Sequence, residues 1–298
     1  MSYHPTFQHR FEFLGFRLLL FFIRLLPYRM ALWIGVVFGK IIWWIGLRKK
    51  VARKNFDLCF GEDYNKSKRD RILQESYENF CRSMVELALL PKISAKISKL
   101  VEFENFGILE KLTEQKSGAL LVTGHFGSWE IFAAAIAITG IPIDVVVQPQ
   151  NNQLIDNFVN KMRSANSVGI IGVGVASRGI LKALKAGRMV ALLSDQDAGQ
   201  SGVITSFFGH PASIAPGAAV FALKTGCPVV SGYIVRNTDG FTHKGYVKKL
   251  ILPEFSGDKE KDIIDLSQFF TSVIEEGIRE HPEQYFWVHR KFKSTIGY

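Results

Sequence analysis

From residue 117 onward the chain alternates short apolar runs with longer segments of helical spacing. "GALLVT" (118–123) reads as a buried strand and "SWEIFAAAIAITG" (128–140) as a helix. "DVVVQ" (144–148) is the next strand and "NQLIDNFVNKMRSAN" (152–166) the next helix. "VGIIGV" (168–173) and "SRGILKALKAG" (177–187) repeat the alternation, followed by the strand "RMVALLSD" (188–195), the helix "APGAAVFALKTG" (215–226) and the strand "CPVVSGYIV" (227–235). Continuous apolar strands between such helices predict an α/β fold, a largely parallel central sheet flanked by helices. Ligands of such sheets bind beyond the carboxyl ends of the strands. His125 and Asp195 each stand just past such an end.

Upstream, "SKRDRILQESYENFCRSMVELALL" (67–90) has apolar positions at Ile72, Leu73, Tyr77, Phe80, Cys81, Met84 and Ala88, a helical spacing that Pro91 should end. Cys81 lies on that apolar face and reads as core. The first fifty residues differ from the rest. "FEFLGFRLLLFFIRLLP" (11–27) and "ALWIGVVFGKIIWWIGLRKK" (31–50) are strongly apolar, but Arg17 and Arg24 interrupt the first and Lys40 the second. Neither is a clean uncharged span of about twenty residues. Arg10, Arg17 and Arg24 recur every seven residues, so one helix face carries a basic line. Such a helix fits a membrane interface, with arginine stems in lipid and their heads on phosphates. A transmembrane hairpin is the alternative. A cleaved signal peptide fits poorly, since the apolar region is too long and no small-residue cleavage site follows. Pro27 and Tyr28 separate the two segments. "LRKKVARKN" (47–55) then adds five basic residues, which favour the cytoplasmic side and anionic headgroups. The expected division is membrane-anchoring helices over 1–50 and a catalytic domain over 51–298.

Charge narrows the partners. The 298-residue chain carries a formal net charge of +10, which suits nucleic acid, an anionic membrane or an acidic ligand. Its three cysteines, without CxxC spacing, argue against a disulfide framework or a structural zinc site and for a reducing compartment.

The candidate chemistry centres on "LVTGHFGSWEIF" (121–132), where a histidine and a carboxylate interrupt two apolar runs. His125 and Glu130 flank a predicted strand-to-helix turn. Histidine is the natural general base near neutral pH, and a neighbouring carboxylate would fix its tautomer and stabilise the imidazolium. Spacing alone equally allows a surface histidine and a first-turn glutamate placed by the helix dipole. Backbone N–H groups of Gly127 and Ser128, at the helix start, are candidate donors to an oxyanion. A serine nucleophile is disfavoured because GxSxG is absent, Ser128 following Gly127 directly. HExxH is absent too, and no metal is expected. "GVGVAS" (172–177) nearly matches a dinucleotide loop, with Ser177 in place of the third glycine, and reads better as a turn. In "SDQDAGQSG" (194–202), Asp195 and Asp197 can orient a base, bind substrate hydroxyls or close the strand as Asx-turns. Arg163, on a predicted helix, can pair with a phosphate or lie on a solvated face.

Taken together, these blocks resemble a family. "GHFGSWE" is similar to the HxxxxE block of the late acyltransferases of lipid A biosynthesis, the lauroyl/myristoyl transferases, within the wider lysophospholipid acyltransferase superfamily. "DQD" (195–197), "FFGHPASIAPGAAVFALKTGCPVV" (207–230), "HPEQYFWVHRKFK" (281–293) and the apolar N-terminus resemble further blocks, in order along the whole chain. Glu130, where the wider superfamily has aspartate, points to the lipid A branch and its relatives, among them phosphatidylinositol mannoside acyltransferases. The resemblance implies His125 as general base, Glu130 as its orienting partner and a substrate contact from Arg163; Asp195, Asp197, Gly127 and Ser128 complete the candidate substrate contacts. It implies no cofactor, a thioester on acyl carrier protein or coenzyme A as donor, an anionic glycolipid acceptor, and a seat on the cytoplasmic face of a bacterial inner membrane. Nucleic acid drops out as a partner. One departure stands at Ser231, where the family often has proline, and bears on the acceptor pocket. A thioesterase, a non-catalytic lipid-binding relative and a nucleotide-dependent reductase are the competing readings.

Overall fold

The computed structural model describes residues 5–253 and 255–298. Helices α1 (Phe7–Leu25), α2 (Tyr28–Ile45), α3 (Lys49–Phe60) and α4 (Lys66–Ile93) come first, then the short α5 (Ile97–Leu100), β1 (Val101–Glu104) and α6 (Gly107–Glu114). The alternating region follows as β2 (Ala119–Thr123), α7 (Trp129–Ile138), β3 (Ile143–Val147), α8 (Gln153–Ser164), β4 (Gly169–Gly172), α9 (Ala176–Lys185) and β5 (Met189–Leu193). A hairpin of β6 (Val203–Phe207) and β7 (His210–Ile214) precedes α10 (Gly217–Thr225), β8 (Val229–Arg236), β9 (His243–Ile251) and α11 (Lys259–Glu280).

Seven strands form one sheet in the order β1-β9-β8-β2-β5-β3-β4. Neighbours from β8 through β4 are parallel, and β9 pairs antiparallel with β8. The expected α/β architecture is therefore present, with every residue of β2 and β8 buried. Alternate residues of β2 serve opposite faces. Ala119 and Leu121 meet α4 and α7, while Leu120 and Val122 meet α9, α10 and α11. A third, aromatic cluster joins α3, α11 and the C-terminal segment through Phe56, Phe60, Phe207, Trp287 and Phe292.

Several boundaries differ from the sequence reading. Pro91 does not end α4 but lies inside its last turn, where one lost N–H donor is tolerated until the helix closes at Ile93. The second apolar segment is broken at Gly46, whose left-handed conformation (φ 82°) caps α2, and the basic residues after it begin α3. "ITSFFGHP" forms the β6–β7 hairpin, and β9 and α11 were not anticipated, because their half-exposed patterns lack the apolar continuity of the parallel strands.

The N-terminal helices lie against the body. Leu20 and Ile23 of α1, and Ala31 and Leu32 of α2, join the main core. Phe13 and Phe16 make edge contacts with Phe158 of α8, at 5.9 and 6.1 Å between centroids. The basic line of α1 divides. Arg10 and Arg17 stay exposed, whereas Arg24 turns inward and its Nε donates to the Ala88 carbonyl at 2.9 Å. The opposite faces leave Phe7, Phe11, Phe22, Trp33 and Trp44 exposed, and α2 is long and apolar enough to cross a membrane. Its seat on α4 depends on two glycines a helical turn apart. A Cβ at Gly39 would stand 2.3 Å from the Glu78 Cα, and one at Gly35 would stand 3.0 Å from the Arg82 Cα. The two backbones meet there without side chains between them.

Deeper in the same contact, Arg236 of β8 pairs with Glu86 of α4 at 2.7 and 2.8 Å. Tyr28 Oη donates to Glu86 at 2.7 Å and His243 Nε2 lies 2.9 Å from it. Burial alone would raise the Glu86 pKa, but Arg236 and His243 hold it well below the carboxylate range. α2, α4 and the β8–β9 pair are thus fastened through one buried carboxylate.

Gly39→Leu should therefore lower stability by about 3 kcal/mol or more through overpacking. Gly15→Ala, at an open helical position, should raise it by up to about 1 kcal/mol. Thermal unfolding in detergent followed by circular dichroism checks both.

Candidate active site

The parallel register of β2 and β5 sets the site. Thr123 is paired with Leu193, and the Ser194 N–H donates to the Thr123 carbonyl at 2.9 Å. Carried two residues past each strand end, that register sets His125 opposite Asp195. The Asp195 carboxylate accepts from the His125 backbone N–H at 2.9 Å through Oδ2 and lies 2.7 Å from Nδ1 through Oδ1. Gly124 lets it in, since a Cβ there would stand 3.2 Å from the Asp195 Cγ.

The charges follow. Asp195 is buried, which disfavours its ionised form, yet the facing imidazole, its hydrogen bonds and Lys291 lower its pKa to about 2. An ionised Asp195 can only accept, so Nδ1 carries the proton and Nε2 presents a lone pair. Burial would lower the His125 pKa. The Asp195 charge and hydrogen bond, with a further contribution from Glu130, raise it above the ordinary histidine value. The His125 side chain is 20% exposed, and Gln196 Nε2 lies 3.4 Å from its Nε2.

The histidine is thus oriented by Asp195, not by Glu130 as expected. Glu130, in the first turn of α7, forms a two-point ion pair with Arg163 of α8, at 2.9 Å from Nε and 2.6 Å from Nη2. Arg163 Nη1 donates to Asn160 at 2.8 Å. Each nitrogen of Arg163 therefore already has an acceptor inside the protein, which counts against an exposed phosphate clamp. Glu130 still acts on the imidazole through its charge.

Gly127 and Ser128 do not offer the expected donors. The Gly127 N–H is taken by the Gln284 carbonyl at 2.9 Å, and Ser128 is fully buried, backbone included. Gly127 is needed for another reason. Its φ is +56°, and a Cβ would stand 1.9 Å from the Ile234 carbonyl oxygen. Asp197 belongs to the scaffold. Its N–H donates to His289 Nε2 at 3.1 Å, and its carboxylate accepts from the Ser294 hydroxyl at 2.7 Å. Ser231 is buried within the sheet, donates to the Val122 carbonyl at 3.1 Å and does not line the cavity beside His125. "GVGVAS" forms the turn between β4 and α9, and open space around Gly172 and Gly174 shows no close approach that requires glycine.

The C-terminal segment supplies what the sequence reading undervalued. The Phe286 N–H donates to the His125 carbonyl at 3.1 Å. Lys291, buried and with its pKa pushed down to about 8, donates to the Asp195 carbonyl at 2.6 Å. Asn55 holds the segment by donating to the Trp287 and His289 carbonyls, both at 2.6 Å. The block "YFWVHRKF" was visible as a motif, but residues some 160 positions from His125 carry no local signal of contact.

Beside His125 opens a cavity of about 430 Å³ whose walls are mostly apolar, with Leu121, Phe132, Val146 and Val159 from the body and Phe16 and Leu20 from α1. Glu130 and Arg163 stand at its wall. A histidine oriented through Nδ1 beside a mostly apolar cavity, at the carboxyl edge of a parallel sheet, is the arrangement of a candidate active site for a substrate with an apolar part.

Comparison with known proteins gives that arrangement a family. Residues 4–294 match the family of bacterial lipid A biosynthesis acyltransferases, and the chain belongs to it. It is 28% identical over 275 residues to the lipid A biosynthesis palmitoleoyltransferase of Escherichia coli (strain K12), covering 90% of this chain and 87% of that one. The lauroyltransferase of the same strain matches with the same identity and coverage. A lipid A biosynthesis acyltransferase of Haemophilus influenzae is 27% identical over 276 residues, 90% and 86% of the two chains. The protein is an acyltransferase.

In an NMR titration, the His125 imidazole should take up its proton above the ordinary histidine value of about 6.5. Asp195→Asn should move that midpoint downward, because the charge that favours the imidazolium is gone. An unmoved midpoint would show that Asp195 is not its electrostatic partner.

Proposed function

We propose that this protein transfers a fatty acyl group from a thioester, carried by acyl carrier protein, to a hydroxyl of a phosphorylated lipid A precursor. The observation that carries the reading is the imidazole of His125, held through Nδ1 by Asp195 and lining a mostly apolar cavity of about 430 Å³. The acceptor hydroxyl gives its proton to Nε2 as its oxygen attacks the thioester carbonyl. The tetrahedral intermediate expels the thiolate, the imidazolium returns the proton to sulfur, and an ester and a free thiol leave. No acyl-enzyme is needed.

Asp195 holds the ring and, with Glu130, stabilises its charged form. Arg163 pairs with Glu130 at the cavity wall, at 2.6 Å. Gln196, the side-chain amide nearest Nε2, is assigned to the developing oxyanion, a role worth about 10²–10³ in rate per donor. The net charge of +10 favours an acidic carrier protein over a neutral partner. The exposed aromatic and leucine faces of α1 and α2, with Arg10 and Arg17, suit the cytoplasmic surface of a bacterial inner membrane, where the acceptor resides.

His125→Ala should lower acyl transfer by about two to four orders of magnitude. Mass spectrometry of a reaction with lauroyl-acyl carrier protein and a tetra-acylated, bisphosphorylated glucosamine disaccharide should show the acceptor heavier by one acyl group. Free fatty acid alone would identify a hydrolase instead. Because His125 must be neutral to accept a proton, kcat/KM should fall as pH drops through its raised pKa and hold above it. In Asp195→Asn the surviving activity should show that acid limb at lower pH.

A further inference from the structure

A second, smaller cavity of about 170 Å³ lies on the other side of Phe80, between α2, α4 and the C-terminal segment. Phe80 lines both cavities. Its ring packs on Phe286 at 4.7 Å and on Trp129 at 6.2 Å, and these two rings flank His125 at 6.0 and 5.2 Å. The base therefore stands over an aromatic partition with an apolar cavity on each side.

The small cavity offers hydrocarbon surface and almost nothing else. Its Ser76 hydroxyl donates to the Leu73 carbonyl and its Tyr77 hydroxyl to the Leu47 carbonyl, at 3.0 and 2.7 Å. Burial raises the Cys81 thiol to about 11, so it stays neutral. The exception is Arg48. It is exposed, makes one long contact of 3.4 Å to the Val288 carbonyl, and pairs with no acid among the described residues. It opens the basic run that continues through Lys49, Lys50, Arg53 and Lys54. Beside it, Trp44, Ile45 and Leu47 are exposed at the end of α2. An apolar hole with a free guanidinium at its rim is complementary to an anionic lipid: one chain inside, one phosphate outside.

We infer that this cavity takes a fatty chain already present on the acceptor lipid, with a phosphate of that lipid on Arg48. The inference rests on the acyl-transfer reading and extends it. Two amphipathic reactants must meet at Nε2. The larger cavity takes the chain being transferred, so the acceptor has to arrive from the far side of the Phe80 partition. A chain anchored there delivers its hydroxyl to His125 while the headgroup stays at the membrane surface, and the chain's fixed end supplies the positioning that transfer needs.

The test uses the full chain in mixed micelles with lauroyl-acyl carrier protein and the tetra-acylated, bisphosphorylated disaccharide. Arg48→Ala, at an exposed site, should raise the acceptor KM about tenfold, the loss of one charge-assisted contact. Val288→Trp, at the half-buried rim, should do the same by filling the mouth. Donor KM should stay within about twofold in both, since neither residue touches the larger cavity. A disaccharide with a diazirine at the end of one chain should label the segments 76–81 or 286–288 in the wild-type protein. Unchanged acceptor KM in both variants, or label confined to the larger cavity at residues such as Val146 and Val159, would overturn the inference. Wild-type protein that adds no acyl group would overturn the acyl-transfer reading instead, and the label would still decide what occupies the small cavity.

Discussion

The structure turns on the pairing of β2 with β5. Two central parallel strands end level with each other, and the chain leaves both in the same direction. His125 and Asp195 are therefore brought together by backbone hydrogen bonds deep in the sheet, seventy residues apart in sequence. A slip of one residue would turn every side chain of β2 to the opposite face and separate the pair. The apolar character of "ALLVT" and "MVALL" serves packing, and through packing it sets the geometry of the His125–Asp195 pair.

Around that pair the protein supplies two kinds of support. Asp195 acts through contact and charge, while Glu130 acts through charge alone because Arg163 holds its carboxylate. Backbone support comes from the C-terminal segment, which bonds to the His125 carbonyl and the Gly127 N–H and sends Lys291 to the Asp195 carbonyl. Little of this scaffolding touches the cavity. It limits the motion of the His125 ring.

Much of the fold was legible because buried parallel strands advertise themselves as short apolar runs. β2, β3, β4, β5 and β8 all lie where those runs are, and α7 to α10 lie between them. β9 and α11 escaped notice since each exposes one side to solvent and mixes charge with apolar positions. Within the site, His125 and Asp195 were legible as residues just past strand ends. Orienting a base was one of several open readings of Asp195, but sequence distance and the family resemblance assigned that part to Glu130. Chain proximity misled there: a helix start carries its side chain away from the turn, whereas a neighbouring strand returns one to it. The Gly127 N–H was misjudged for a related reason, as its acceptor, Gln284, lies far along the chain.

Helix α1 has two faces with different neighbours. Phe16 and Leu20 form part of the cavity wall, while Phe11, Leu18 and Phe22 point away from the protein. The cavity is therefore not closed by the α/β body alone. Seating of α1 and occupancy of the cavity are linked equilibria, so whatever free energy the seated helix lends to a bound chain, the chain returns to the seating of the helix. An occupied cavity would hold the amphipathic helix more firmly than an empty one, and anything that held the helix from outside would have a share in deciding what fits within.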